Sequence, residues 1–172
     1  MRITRIRYYA DPGSRPIFNQ SSNLVTVETD QGITGIGEGG SRDTIVQCAA
    51  MLIGEDPGRI EHLWQLMYRG YFYPAGREKL HALGALDLAL WDIKGKAAFP
   101  GPVLMEMTGA GPRAVPHLPW HFDFSRGKLW PNRRPGLGVE FDPKPLQMIA
   151  EVTERSRPIR IFQRPDGSIT NW

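Results

Sequence analysis

Residues 82–97 read ALGALDLALWDIKGKA, and the fold of this chain is best derived from them. Leucine recurs in it every three or four residues, and the same spacing extends back to Leu80, which predicts one long helix over residues 77–97. Leu88 and Trp91 widen the apolar belt of this helix. Because a helix that is apolar on most sides is typically buried, we expect it to pack between other elements rather than to lie on a surface.

Two shorter helices are predicted before the long one. Residues 41–53 carry apolar side chains at helical spacing. Asp56-Pro57 comes shortly after them, and Asp favours the N-cap whereas Pro favours the first helical position. A second helix is therefore predicted over residues 57–69. The sequence Pro74-Ala75-Gly76 then separates this helix from the long one.

The first 38 residues have the pattern of strands. Residues 1–10 and 23–29 are rich in β-branched and aromatic side chains. The short loop Asp30-Gln31-Gly32 leads into residues 33–38, which is a hairpin signal. The order of these patterns predicts an α+β fold, in which a three-stranded antiparallel sheet over residues 1–38 is followed by a helical bundle over residues 41–98.

The chain after Pro100 has weaker patterns. Val139 to Phe141 is predicted as a brief strand, and Asp142-Pro143 as the start of a helix that reaches about Glu151. Residues 159–162 are strand-like, and we expect this strand to pack against the same domain. The sequence RPDG at residues 164–167 is typical of a turn.

Composition excludes several classes of protein. The 172 residues include 21 basic and 18 acidic ones, without a long basic run, so we expect no nucleic-acid partner. No apolar run approaches the ~20 residues that span a bilayer, so we expect no membrane association. Cys48 is the one cysteine and cannot form an internal disulfide, which favours a reducing, cytoplasmic location.

Three blocks in this order resemble the N-terminal capping domain of the enolase superfamily. They are residues 23–38 (NLVTVETDQGITGIGE), 52–69 (LIGEDPGRIEHLWQLMYR) and 82–97. The most similar branch is the mandelate racemase and muconate-lactonizing group, which includes acid-sugar dehydratases. Residues 135–141 (PGLGVEF) and 164–172 (RPDGSITNW) resemble C-terminal segments of such enzymes, beyond their last barrel strand.

The resemblance implies an enzyme whose middle is missing. Members of the superfamily join the capping domain to a (β/α) barrel of about 250 residues. Between Gly111 and Pro116 this sequence passes from what resembles the entrance of the barrel to what resembles its exit. We therefore expect a capping domain over residues 1–110, and over residues 111–172 a remnant of the barrel end with a C-terminal tail that packs back on that domain.

The expected chemistry follows from the missing segment. The family abstracts a proton next to a carboxylate and uses Mg²⁺ to stabilise the enediolate, with carboxylate ligands and a Lys or His base on barrel strands. Those positions would lie in the absent barrel, so we expect no catalytic residue, no metal site and no cofactor here. Lys94-Gly95-Lys96 copies the Lys-x-Lys base pattern of some members, but residues two apart on a helix diverge by about 200°.

Several polar side chains remain candidates for a ligand site. The resemblance implies that the loop at residues 15–23 is a remnant of a substrate-closing loop, and Tyr73 is a further candidate. The loop side chains able to hold a carboxylate or hydroxyl groups are Arg15, Asn19 and Gln20. His117, His121 and Asp123 could bind a metal adventitiously, although Pro119 argues against a regular helix there.

Exposed apolar surface is the main functional signal. Residues 99–130 carry many large apolar side chains for a segment that has lost its barrel, and we expect them to contribute to a homo-oligomer with Trp120 as anchor. The side chains predicted at the interface are Leu118, Trp120, Phe122, Phe124 and Trp130.

Three functions are compatible with the sequence. The first is a non-catalytic binding or assembly module, as a homo-oligomer or with a full-length enolase-superfamily paralogue. The second is an acid-sugar binder or dehydratase-like enzyme whose site forms at an oligomer interface from Arg15, Tyr73, His117 and His121. The third is a decayed gene product, or a deletion product, without a selected function.

Overall fold

The structure is a computed structural model that describes residues 1–10, 12, 23–71, 73–98, 117, 123–125, 128–130, 133–156, 162–166 and 168–170. The described elements form an α+β fold, as predicted. They are, in chain order, β1 (Ile3–Ala10), β2 (Leu24–Thr29), β3 (Thr34–Glu38), α1 (Arg42–Leu52), α2 (Ile60–Arg69), α3 (Arg77–Ala98), β4 (Asp123–Ser125), β5 (Lys128–Trp130), β6 (Gln147–Val152), β7 (Phe162–Gln163) and β8 (Ile169–Thr170).

The main sheet has four strands where the sequence predicts three. Its order is β3-β2-β1-β6, and every neighbouring pair is antiparallel. The hairpin between β2 and β3 turns at Gly32, whose φ of 74° lies in the left-handed region that glycine adopts without strain. Strand β6 joins the far edge of β1, with Tyr8 opposite Ala150.

The predicted helix from Asp142-Pro143 to Glu151 is wrong, because this segment contains strand β6. The Asp142 carboxylate accepts a hydrogen bond from the Lys144 backbone N–H at 3.1 Å, and the Leu146 N–H donates to the Pro143 carbonyl. These bonds close a turn instead of capping a helix, since Asp before Pro suits both structures. The predicted strand over Val139 to Phe141 is also absent, as those residues are irregular.

Charged side chains connect β6 to the rest of the sheet. The Arg7 guanidinium contacts Glu28 on β2 at 2.6 Å and Glu151 on β6 at 2.7 Å. Arg5 lies beside the same two carboxylates, at 3.9 and 3.6 Å. This alternation of charge across three strands favours the observed register, because oppositely charged cross-strand neighbours attract each other.

The other three predicted helices are present, and one of them has a shifted start. Helix α2 begins at Ile60 and not at Pro57. The Asp56 carboxylate accepts a hydrogen bond from the Gly58 N–H, and the Arg59 N–H donates to the Asp56 carbonyl, so Asp56 forms a turn ahead of the helix. None of the helices in the described part of the chain combines the length and apolar character needed to span a bilayer.

Helix α3 packs closely on strand β3. A Cβ atom at Gly35 would overlap the carbonyl oxygen of Ala89, and one at Gly37 would overlap that of Ala85. Two glycines on the strand and two alanines on the helix therefore bring the backbones together. The core lies between the sheet and the helices, and its largest fully buried side chains are Tyr8, Ile3, Ile6, Ile45, Met51, Leu52, Leu63, Leu66, Met67, Leu83, Leu86 and Leu90.

The C-terminal residues contact this core at several points. The rings of Tyr9 and Phe141 meet edge to face, with their centroids 5.4 Å apart. The Ser156 N–H donates to the Ala50 carbonyl on α1, and Ile169 on β8 packs against the core. Strand β7 starts at Phe162 within the predicted strand 159–162, whose first three residues lie outside the described ones.

Candidate interaction surface

Asp92 on α3 is a buried carboxylate with three donors. Its Oδ2 atom accepts hydrogen bonds from the Ile36 N–H at 3.0 Å and from the Lys96 ammonium at 2.7 Å. Its Oδ1 atom accepts one from the Leu137 N–H at 2.7 Å. The side chain of Asp92 is fully buried. A buried charge with this many partners holds the surrounding backbone in place.

The Asp92–Lys96 pair covers the free edge of β3. The Lys96 ammonium also donates to the Thr34 carbonyl at 2.7 Å, while Asp92 takes the Ile36 N–H. Two side chains of a helix thus satisfy the backbone groups that a further strand would otherwise pair. On the other side, Gly136 has a φ of 68° and lies so close to Asp92 that a Cβ atom there would overlap the carboxylate.

The Lys-x-Lys pair lies on a helix, as the sequence predicts. Lys96 is held by Asp92 and Thr34, whereas the Lys94 ammonium lies 4.7 Å from the centroid of the Trp91 ring. The two lysines therefore make different contacts and do not face a common site.

Cys48 is buried on α1, and burial raises the pKa of its thiol to about 11, so the thiol stays protonated near neutral pH.

A groove runs between α2 and α3. Its volume is about 320 Å³, within the size range of ligand pockets. The groove combines aromatic rings with carboxylates, and its lining residues are Ile60, Glu61, Trp64, Gln65, Asp87 and Trp91. Trp64 is supported from behind by Tyr68, whose ring stacks on it with a centroid distance of 4.8 Å.

Among the described residues that line the groove, the charged side chains are those of Glu61 and Asp87, and both are acidic. Burial raises the pKa of Asp87, and a hydrogen bond from the Trp91 side chain partly offsets this rise. Indole rings beside carboxylates form a favourable environment for a cation, because the ring face is negative. The groove is therefore suited to an ammonium or a guanidinium group.

Helix α3 packs between other elements, as predicted, but one of its faces is open to solvent. Leu80 is 44% exposed and Trp91 is 51% exposed. Gly84 lies between them, and a Cβ atom there would meet no described residue within 4 Å. The other faces of α3 pack on β3, α1 and α2, so the uncovered face is the one that points away from all three.

The predicted ligand residues are not brought together within the described part of the chain. Tyr73 is described and is 77% exposed. Arg15, Asn19, Gln20 and His121 lie outside the described residues. His117 is buried, and its carbonyl accepts a hydrogen bond from the Asp142 N–H at 3.0 Å. Among the described residues, no group of three or more His, Cys, Asp or Glu side chains is arranged to hold a metal ion.

The predicted interface residues fall largely beyond what the structure describes. Leu118, Trp120 and Phe122 lie outside the described residues. Phe124 and Trp130 belong to the short antiparallel pair β4 and β5, in which Phe124 is opposite Leu129 and Asp123 opposite Trp130. Their part in assembly stays a prediction.

Sequence reasoning missed the groove between α2 and α3. Trp64 and Trp91 are visible in the sequence, but their apolar character suggests core positions. A signal was present in Asp87 and Trp91, which are four residues apart and therefore share a face of α3. A carboxylate on the same helix face as a tryptophan is unusual for a buried surface.

Comparison with known proteins gives three kinds of similarity. The profile "Mandelate racemase / muconate lactonizing enzyme, N-terminal domain" matches residues 14–104, more than half of the chain. The D-galactonate dehydratase of Xanthomonas campestris pv. campestris (strain B100) is 45% identical over 105 residues, which cover 56% of this chain and 25% of that protein. The D-galactonate dehydratase of Cronobacter sakazakii is 40% identical over 116 residues, or 63% of this chain and 28% of that protein.

The solved structures agree with this similarity. An enolase from Agrobacterium radiobacter superposes with a TM-score of 0.51 at 31% identity, over 59% of this chain and 26% of that one. The chain spans about a quarter of the length of the curated relatives it matches. Both the matched residues and the shared fold lie in the capping domain, and this chain therefore belongs to the mandelate racemase / muconate lactonizing enzyme family of the enolase superfamily, by its N-terminal domain.

Proposed function

We propose that this chain acts as a non-catalytic assembly module, in which a capping domain of the enolase superfamily associates with further copies of itself. The observation that carries the proposal is the open face of α3. Leu80 and Trp91 are large apolar side chains that are about half exposed on one helix. A contiguous apolar patch of more than about 300–600 Å² typically marks an interaction site, and we expect these two side chains to belong to one.

The contacts of the C-terminal segment support an independently stable module. Strand β6 completes the sheet beside β1, and Leu137 is bound to the buried Asp92. Residues 133–156 thus add hydrogen bonds and apolar contacts to the capping fold. A unit with its own core and a filled sheet edge can fold without a barrel beside it.

The absence of catalysis is proposed from the family chemistry. The resemblance assigns the metal carboxylates and the base to barrel strands, and the similarity to D-galactonate dehydratases covers about a quarter of those enzymes. By the same resemblance, the capping domain supplies neither group. We expect no conversion of D-galactonate by this chain, with or without Mg²⁺, when product formation is followed in a coupled assay. Turnover that disappears on chelation and returns with Mg²⁺ would contradict this part of the proposal.

Light scattering of the purified protein at micromolar concentration tests the assembly part. We expect a mass that is a multiple of 19.4 kDa. A stable interface buries about 1,200–2,000 Å² in total. Because a few well-packed residues carry most of the binding energy, we expect the loss of a central leucine to weaken association measurably. A monodisperse 19.4 kDa species would overturn the assembly.

The chain offers a matched pair of variants for this measurement. Leu80 on α3 is 44% exposed and Met148 on β6 is 50% exposed. Leu80→Ser should shift the mass towards the monomer, whereas Met148→Ser removes a similar apolar side chain elsewhere and should leave the oligomer intact. If the two variants shift the mass equally, α3 is not the contact face.

A further inference from the structure

We infer that α3 pairs in antiparallel orientation with α3 of a second copy, about a two-fold axis at Gly84, so that Arg77 of each copy enters the groove between α2 and α3 of the other. This inference rests on the proposed self-association and names its geometry. The partner copy supplies the cation that the groove is suited to hold, and the contact is the same on both copies, as two-fold symmetry requires.

The positions on the open face of α3 are symmetric about Gly84. Arg77 lies seven residues before it and Trp91 seven residues after it, which is about 10.5 Å in each direction along the helix. A two-fold axis at Gly84 therefore brings Arg77 of one copy opposite Trp91 of the other. The same operation pairs Leu80 with Leu88, four residues to either side.

The chemistry of these pairs is complementary. Leucine meets leucine near the axis, and a guanidinium meets an indole ring further out. Asp87 lies three residues after Gly84 and comes opposite His81, which is three residues before it and exposed. The three mirrored pairs thus join two leucines, a guanidinium with an indole ring, and a carboxylate with an imidazole.

Arg77 is available for such a contact. Its side chain is 67% exposed, and its ion pair with the adjacent Glu78 is long, at 3.4 Å. Exposed pairs of this kind contribute little, so little is lost when the guanidinium changes partner. The Lys94 ammonium already lies over the Trp91 ring, which indicates that this ring accepts a cation in its present setting.

Gly84 provides the close approach that the geometry needs. Glycine in a helix interior is unfavourable relative to alanine, and no described residue lies within 4 Å of where a Cβ atom at Gly84 would be. Packed helices lie about 8–10 Å apart, and subtracting two Cα radii of about 2.3 Å leaves about 3–5 Å between the two Gly84 Cα atoms. A residue with a side chain would hold the helices further apart.

Disulfide trapping tests the axis. In the variant Gly84→Cys the two Cα atoms at position 84 should lie close to the separation that a disulfide requires, about 4.4–6.8 Å. The native Cys48 is buried and does not interfere. Ala97→Cys is the matched control, since Ala97 is also exposed on α3. Antiparallel pairing would place the two cysteines at position 97 about 39 Å apart.

We expect the Gly84→Cys dimer to form at least about tenfold faster under mild oxidation than the Ala97→Cys dimer, since preassembly raises the effective thiol concentration. Equal rates for the two variants would indicate random collision and overturn the inference. If the wild-type chain is oligomeric by light scattering but no disulfide forms at position 84, the proposed two-fold axis is wrong and the self-association still holds. A monomeric wild-type chain would remove both.

A charge reversal tests the groove. Arg77→Glu would place a carboxylate beside Glu61 and Asp87 of the second copy, and we expect the dissociation constant of the dimer to rise by about tenfold or more, because like charges at a contact repel. Arg42→Glu is the control, since Arg42 on α1 is 60% exposed and also pairs with its neighbouring acid. An unchanged dissociation constant for Arg77→Glu, with a correctly folded variant by circular dichroism, would contradict entry of Arg77 into the groove.

Discussion

The Asp92 carboxylate and the Leu137 backbone N–H form a 2.7 Å hydrogen bond between residues that are 45 positions apart. This bond joins the last turns of α3 to the C-terminal segment. Because the same carboxylate also binds Ile36 and Lys96, one side chain connects the helix, the sheet edge and the tail.

Removal of this carboxylate should cost much of the stability of the protein. Asp92→Ala leaves two backbone N–H groups without their acceptor and removes the carboxylate beside the Lys96 ammonium, and we expect the free energy of unfolding to fall by about 3–5 kcal/mol. Urea denaturation followed by circular dichroism measures the loss. Asp43→Ala, which removes an exposed carboxylate paired only with its neighbour Arg42 at 3.0 Å, should cost less than about 1 kcal/mol. Similar losses for both variants would show that burial of Asp92 is unimportant.

The close packing of β3 on α3 predicts intolerance of a methyl group. In Gly37→Ala the new Cβ atom would overlap the Ala85 carbonyl, so the strand and the helix must separate. We expect a loss of about 1–3 kcal/mol or more, as is usual for an overpacked contact. Thermal unfolding compares this variant with Gly76→Ala, where a Cβ atom meets nothing within 4 Å. A Gly37→Ala protein as stable as the wild type would contradict the described packing.

The buried thiol of Cys48 predicts a loss of stability in alkali. Its pKa is raised by burial from 9.0 to about 11, so the folded state holds the proton more tightly than the unfolded state does. The stabilisation is complete below about pH 9 and is lost as the pH rises towards 11, by about 2–3 kcal/mol in total. Denaturant titrations at several pH values should show a steeper decline for the wild type than for Cys48→Ala. If the stability of the two proteins declines equally with rising pH, the thiol is not the cause of the decline.

The position of β6 in the sheet predicts sensitivity to proline. Ala150 is opposite Tyr8 in the β1–β6 ladder, and Ala150→Pro would remove a backbone donor and distort the strand. We expect a loss of about 3 kcal/mol in the free energy of unfolding. Glu154→Pro, at an exposed residue just beyond the strand, serves as the comparison in the same denaturation assay. If Glu154→Pro proved the more harmful change, β6 would not be a sheet strand.

Local sequence patterns correctly predicted those helices and strands whose structure depends on residues nearby in the sequence. The β2–β3 hairpin and α3 follow from Gly32 and from the leucine spacing, because turn geometry and helical period are set within a few residues. Strand β6 was missed for the opposite reason. The pair Asp142-Pro143 is compatible with a helix start and with a turn, and the choice is made by β1, which lies more than 130 positions earlier.

The groove between α2 and α3 could not be predicted from local sequence patterns, for a different reason. Its lining comes from two helices, and the sequence of each shows which residues are apolar but not how the helices are placed against each other. Trp91 has the composition of a core residue, yet it is half exposed because α1, α2 and β3 occupy the other sides of α3. The acidic partner Asp87, on the same face, was the one local sign of an unusual surface.

The pairing of β1 with both β2 and β6 has a consequence for the order in which the chain acquires its structure on the ribosome. Tyr8 meets Val25 soon after synthesis begins, but its other neighbour, Ala150, emerges 142 residues later. Until then one side of β1 has no strand beside it, and closing so long a loop slows folding. We expect the nascent chain to need protection at that edge, for example by a chaperone, and to reach its protease-resistant state only after residue 152 has left the exit tunnel.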